Sequence, residues 1–457
     1  LLGLLRHYAS SRGSHARTLT HAVFGSAALQ MLGMGATFLV GVQLARYLGP
    51  AGYGIYGTLV AIMALLLVVA EQGLPPLITR EIAASIARSK FGNAKGALLW
   101  FVAITLAGSA AIVLVGLMVA ARYNMNAQFR TGLFWALAII PAFALFDLLV
   151  SAIRALRRVV LSQFYSSLVK PLIYALALFV AALTIGVDRP STAMAVQLAA
   201  ALLMLGVTVA SLYRIIPSSV AQATARYERR GWALSAGPMM VTEMLRNVDA
   251  QFPILLLGLI ASAGDVGIFR IALSIIGFTG VPYTIVNIVV MPYMARFHAE
   301  GDLVRLQATA AGAAVCMFAA TGAITLGLYL FGQKAIILLF GAAYAPAYAS
   351  VILLSLAATV TSFSGAAPTL LNMADREAAA TGAFGGSLIF GIPLAWFLSL
   401  RFGLEGMAIA ILLLRLFRSV ILARAARRSL GVGTTILSAG SLLRLGQRRE
   451  PPATSDG

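Results

Sequence analysis

The chain has 457 residues, 60% of them hydrophobic and 11% charged, with a mean hydropathy of +0.91 and a formal net charge of +19. Soluble domains carry about 25% charged residues, so a soluble fold is excluded. The basic excess is read as topological, since cytoplasmic loops of membrane proteins collect Lys and Arg, and not as a nucleic-acid footprint. A bilayer crossing needs about 20 apolar residues, and backbone groups in lipid are satisfied within a helix. The fold class expected is therefore all-α integral membrane. The opening LLGLLRHYASSRGSHART is too polar for a signal peptide. The first span is expected near His21 as an uncleaved anchor, and the native chain is expected to start upstream of Leu1. Spans follow near 21–44, 55–74, 96–121, 132–153, 166–186, 192–213, 234–260, 266–290, 308–331, 347–370, 379–399 and 404–423, with 332–346 as an interfacial piece. That makes about twelve transmembrane helices.

Loop charge supports the even count. With both termini in the cytoplasm, 26 of the 34 Lys and Arg fall on the cytoplasmic side, Lys170 and Arg418 among them. The organisation expected is a cytoplasmic N-terminal segment 1–20, a first lobe 21–213, a cytoplasmic linker 214–233, a second lobe 234–425, and a cytoplasmic tail 426–457 that is expected to be disordered. The four His residues are scattered and Cys316 is the single cysteine, so neither a metal site nor a disulfide is expected. No GxxxxGK[ST] phosphate loop is present, which speaks against direct use of ATP. No cofactor is expected beyond a coupling proton or sodium ion.

The halves echo one another. AGYGIY (51–56) answers AGDVGIF (263–269), with Gly54 and Gly267 separated by 213 residues. LPPLITR (74–80) answers VMPYMAR (290–296), pairing Pro76 with Pro292 and Arg80 with Arg296 at a separation of 216. Ala193 and Ala195 answer Ala408 and Ala410 at 215. A six-plus-six duplication follows, and an even number of spans per half makes the repeat parallel.

These segments carry a resemblance. LARYLGPAGYGIYGTLVAIMALLLVVAEQGLPPLITREIA (44–83) resembles the opening helices of bacterial polysaccharide-biosynthesis membrane proteins, the oligosaccharide-lipid flippases of the multidrug/oligosaccharidyl-lipid/polysaccharide (MOP) exporter superfamily. RNVDAQFPILLLGLIASAGDVGIFRIALSI (246–275) resembles their seventh and eighth helices, and RFGLEGMAIAILLLRL (401–416) their last hairpin. The resemblance implies two six-helix lobes in a MATE-like V around a central cavity. It also implies transport of undecaprenyl-diphosphate-linked oligosaccharide from the cytoplasmic to the periplasmic side of the inner membrane.

An ionisable residue inside a span costs about 2.5–3.5 kcal/mol on insertion scales and marks a functional candidate. The seventh span holds Glu243, Arg246, Asn247, Asp249 and Gln251, with 243, 247 and 251 stacked at i, i+4. Guanidinium suits a diphosphate through its planar fork. Arg246 is therefore the first substrate-binding candidate, with Asn247 beside it and Arg46 and Arg270 at outer span ends. Asp249, Glu243 and Asp147 are the ion-coupling candidates. Gly382 and Gly386 have the spacing for close helix contact. Partners expected are the lipid-linked oligosaccharide and the bilayer, with a polysaccharide polymerase and glycosyltransferases nearby. The alternative is an ion-coupled multidrug exporter of the same superfamily. A membrane glycosyltransferase or polymerase is less favoured, because the outer loops offer only Asp188, Asp265 and Glu405 as acids; no enzymatic activity is expected.

Overall fold

The computed structural model describes residues 13–373, 376–436 and 438. In chain order the helices are α1 (Gly13–Glu71), α2 (Leu74–Ala87), α3 (Phe91–Arg122), α4 (Ala127–Ala155), α5 (Val159–Gln163), α6 (Lys170–Thr184), α7 (Pro190–Ile215), α8 (Ser218–Ala221), α9 (Arg229–Ile260), α10 (Ala263–Ile276), α11 (Val281–Ala299), α12 (Leu303–Phe340), α13 (Ala347–Phe363), α14 (Ala367–Met373) and α15 (Glu377–Leu430). A π-helical turn, Phe164–Val169, joins α5 to α6, and 3₁₀ turns occupy Gly277–Gly280 and Ala342–Tyr344. Among the described residues no strand occurs.

Among the described residues, eight stretches are long and apolar enough to cross a membrane. Two of them, Ala28–Ala87 and Thr381–Ser429, contain a break at Gly49 (φ 64°) and Gly403 (φ 57°) and supply two passes each. Gly403 reverses the chain: a Cβ on Gly406 would overlap the Leu398 carbonyl, which a straight helix would hold about 12 Å away. Pro50 opens the second arm of α1, where its missing N–H costs nothing. α9 is too polar and α13 too short to count among the eight; with one pass assigned to each, the described residues supply the twelve expected. The 332–346 piece is different from expectation: α12 runs unbroken to Phe340, since nothing in FGQKAIILLF interrupts a helix.

The chain forms two compact units, which divide between Gly267 and Ile268. In the first, α4 is the hub and packs most extensively on α7. Leu74, Ile78, Phe101, Leu148, Ile153 and Trp232 belong to one buried cluster. The 216–228 linker is bound to this unit. Arg226 N–H donates to the Gly92 carbonyl (2.9 Å), Lys95 Nζ donates to the Ala221 carbonyl (2.6 Å), and Val220 is buried. A Cβ at Gly96 would overlap the Arg226 carbonyl, so the strap lies on a glycine face of α3. Trp232 then packs on Trp100 and Phe101, with ring centroids 5.6 and 5.4 Å away. α9 also belongs to this unit and packs along α1.

The repeat glycines meet. A Cβ on Gly54 would overlap the Ala263 carbonyl, and one on Gly267 would overlap the Pro50 carbonyl. Residues 50 and 263 are themselves 213 apart, as 54 and 267 are. Such reciprocal contact is what two-fold-related segments make.

In the second unit, Met294, Leu306, Ala310, Met317 and Leu370 form a buried cluster. Hydroxyl pairs tie α12 to α13, Thr321 with Ser362 and Thr325 with Thr359, both 3.0 Å. Arg418, counted from sequence with the cytoplasmic-side cations at a span end, is only 8% exposed. Its Nε donates to Ser387 Oγ at 2.9 Å, and the guanidinium lies 4.3 Å from the Phe384 ring centroid. Gly382 and Gly386, whose spacing permits close helix contact, have no atom within 4 Å of a would-be Cβ. The expected N-terminal segment and tail fall largely outside the described residues; α15 itself continues to Leu430.

Candidate functional site

The first unit contains a break in its second pass. α1 ends at Glu71, Gln72 (φ 51°) and Gly73 (φ 72°) take left-handed conformations, and α2 begins with Pro75 and Pro76 in its first turn. Left-handed backbone is strained for a glutamine and marks sites where surroundings hold the chain. Here the neighbour is α9. A Cβ at Gly73 would lie 2.6 Å from Met240 N and 2.8 Å from the Ala236 carbonyl, so only glycine permits this approach. The Gln72 amide lies against Gly108 of α3.

The break sets Glu71 among charges from three other helices. Asp147 of α4, Lys170 of α6 and Glu243 of α9 all act on its carboxyl, Asp147 most strongly. Glu71 Oε1 is buried and receives no hydrogen bond. Lys170 Nζ lies 3.6 Å from Asp147 Oδ1, with the two side chains 28% and 31% exposed. The ammonium also sits 4.1 Å from the Phe143 ring centroid and 5.0 Å from that of Phe146, an arrangement that favours a cation. The π-helical turn directly before Lys170 packs against α1, where a Cβ at Gly33 would overlap the Ser167 carbonyl. π-turns recur at functional sites.

Of the expected residues, the structure brings Asp147 and Glu243 together around Glu71. Arg246 pairs with Glu243 at 3.8 Å and keeps its side chain 69% exposed. Asn247 Nδ2 donates to the Glu243 carbonyl at 3.0 Å, so that amide is engaged with its own helix. Asp249 lies further along α9. Arg46 stands just before the Gly49 break, and the 22 residues from there to Glu71 span about 33 Å of helix. Arg270 lies in α10, in the second unit. Asp249 and Arg46 are not among the charges that act on Glu71. Among the described residues no three His, Cys, Asp or Glu side chains converge as a metal site.

Sequence reasoning missed Glu71 and misassigned Lys170. Both satisfied the intramembrane-charge criterion that selected Asp147. The second span was expected to stop near 74, which put Glu71 at the interface; helix in fact continues from Leu74 to Ala87. The fifth pass begins at Val159, so Lys170 lies well inside it instead of at its edge.

Comparison with known proteins agrees with this architecture. The profile of the polysaccharide biosynthesis protein family matches residues 19–298. Solved structures similar to this chain include a multidrug resistance MATE family transporter of the MOP superfamily in its inward-facing conformation. It has TM-score 0.73 at 11% identity, covering 93% of this chain and 99% of that one. A MATE transporter from Vibrio cholerae gives 0.59 at 16% identity, covering 89% and 99%. A MOP superfamily transporter from Pyrococcus furiosus, whose binding pocket is described as reversed in polarity, gives 0.64 at 13% identity, covering 90% and 95%. No curated protein sequence matches the chain. Spanning helices, parallel repeat, reciprocal glycine contact and a match over more than half the chain converge: this is a multi-pass membrane protein with the MATE-like fold of MOP-superfamily transporters, and it belongs to the polysaccharide biosynthesis protein family.

Proposed function

We propose that the protein flips an undecaprenyl-diphosphate-linked oligosaccharide from the cytoplasmic to the periplasmic leaflet of a bacterial inner membrane by alternating access. In this reading both termini are cytoplasmic, an ion gradient supplies the driving force, and polymerase and glycosyltransferases act on either side of the step. The observation that carries it is Arg246. It is a largely exposed guanidinium in a pass of a transporter fold, held by Glu243 on the polar face of α9. A lipid diphosphate leaves bulk water when it crosses, and a guanidinium replaces that hydration with charge-assisted hydrogen bonds. Arg46 and Arg270 are the proposed receiving cations, Asn247 a neighbouring donor site, and Asp249 an auxiliary acid of the coupling path.

The test is reconstitution in liposomes with the lipid-linked oligosaccharide on one leaflet, following its arrival on the other. Arg246→Ala is expected to lower the rate roughly ten- to a hundredfold, the size of a lost charge-assisted bond, with Arg246→Lys between the two. Transport equal in Arg246→Ala and native protein removes Arg246 as the anchor. No transport, with a cationic dye extruded under a proton or sodium gradient, selects the multidrug reading instead. That second reading has its own support: with Glu243 paired to Arg246, Glu71 and Asp147 still share the single Lys170, and the carboxylate left over on deprotonation suits a cationic drug.

A further inference from the structure

Glu71 has a counterpart. At the separation of 216 that pairs Pro76 with Pro292 and Arg80 with Arg296, Glu71 pairs with Asn287. The burial pattern follows the same register, with Leu74 and Ile78 buried in one unit and Val290 and Met294 in the other. The facing residues, 222 apart, stand in a like local setting. Asp147 precedes the buried pair Leu148–Leu149, and Thr369 precedes the buried pair Leu370–Leu371. In the second unit this position forms a neutral clasp: Thr369 Oγ1 donates to Asn287 Oδ1 at 2.9 Å, and Asn287 Nδ2 donates to the Tyr283 carbonyl at 2.9 Å. In the first unit the same two passes meet carboxyl to carboxyl, and Glu71 Oε1 is buried without a donor.

We propose that Glu71 and Asp147 hold one exchangeable proton between them, and that this protonatable clasp is the first unit's form of the Asn287–Thr369 clasp. The charges facing Glu71 are Asp147 from α4, Lys170 from α6 and Glu243 from α9. Glu243 has Arg246. Lys170 is left to serve two carboxyls, and one proton makes that trio neutral while supplying the donor that Oε1 lacks. A sodium ion fits less well, because the Lys170 ammonium already occupies the cation's place 3.6 Å from Asp147 and would repel a second one. Loading is simple protonation: a carboxylate takes H⁺ from water and forms an O–H bond, and release restores the carboxylate. Loss of the proton sets two carboxylates against each other beside the left-handed Gln72–Gly73 break, the point at which the second pass is already bent. That such a proton couples transport rests on the transport proposed above; that it exists does not.

The experiment is infrared difference spectroscopy of the full-length protein in lipid nanodiscs, titrated from neutral to alkaline pH without substrate. A protonated-carboxyl C=O band is expected in the native protein and in the surface control Glu300→Gln. It is expected to disappear in Glu71→Gln and in the borrowed clasp E71N/D147T/K170M, which removes the lysine's charge together with its two partners and should melt within a few degrees of native because it copies the neutral version. A native protein with no such band, a band that survives Glu71→Gln, or a band displaced by sodium at constant pH overturns the proposal. Collapse of E71N/D147T/K170M alone overturns the equivalence of the two clasps. An intact band in a protein that fails to flip lipid-linked oligosaccharide refutes the flippase reading and leaves the clasp standing.

Discussion

Lys170 shows how one side chain ties local chemistry to stability. It faces Glu71 and Asp147 and covers two phenylalanine rings. Removing one partner of a buried ion pair costs about 3–5 kcal/mol, mostly through the charge left behind. Lys170→Met leaves acids facing each other and is expected at the lower end of that range, because the pair is partly exposed. Asp147→Asn should cost less, since Glu71 remains to balance the lysine. The double variant should recover part of the loss. Thermal melting of the purified variants checks this order. Additive losses would mean that Lys170 and Asp147 are not coupled.

At the scale of elements, glycine decides where helices touch. Gly54 and Gly267 bring backbone to backbone, and a single methyl at either position overlaps a carbonyl. Gly54→Ala is expected to lower the melting temperature by several degrees. Gly206→Ala has open space around it and should raise stability slightly through helix propensity, by about 0.5–1 kcal/mol. Equal effects would rule out the close crossing. The linker gives a second case. Gly96→Val drives a side chain into the Arg226 carbonyl and should lift the 216–228 strap from α3. Limited proteolysis of the variant is expected to cleave within 217–228 severalfold faster than in the native protein; an unchanged rate would show that the strap does not depend on the glycine face. The docked strap also explains why a segment read as a cytoplasmic linker packs as part of the first unit: Val220 and Trp232 are buried in it.

For the whole molecule, the passes set sidedness. Cys316 is the chain's single cysteine, so its replacement by Ala gives a clean background. Ser89→Cys and Gln222→Cys are separated by four passes and should label from the same side of the membrane. Asn124→Cys, one pass beyond Ser89, should label from the other. With the proposed orientation, the first pair labels only when the cytoplasmic face is open to the reagent. Labelling of Ser89→Cys and Asn124→Cys from one side would remove a pass between them.

The fold was largely legible in the chain because lipid enforces a simple rule: long apolar stretches become helices, and their number follows from count and loop charge. The repeat was legible for a related reason, since Gly54, Pro76 and Arg80 mark places where backbone or helix ends tolerate little else. Arg246, Glu243 and Asp147 were legible as charges inside apolar runs. What hydropathy lacked was depth along each helix. A window places a span's centre well and its ends poorly, so Glu71 and Lys170 were assigned to edges that the continuing helices moved inward. Arg418 was lost in the same way. Which charges face one another is set by packing: the left-handed turn at Gln72–Gly73, the glycine that admits α9, and the π-turn before Lys170. Residues 71, 147, 170 and 243 are distant in sequence, and no local pattern encodes their meeting. The sequence determined that this chain crosses a membrane many times and duplicates itself; the tertiary structure decided that one copy carries paired carboxyls where the other carries an amide and a hydroxyl, because only packed helices bring those positions face to face.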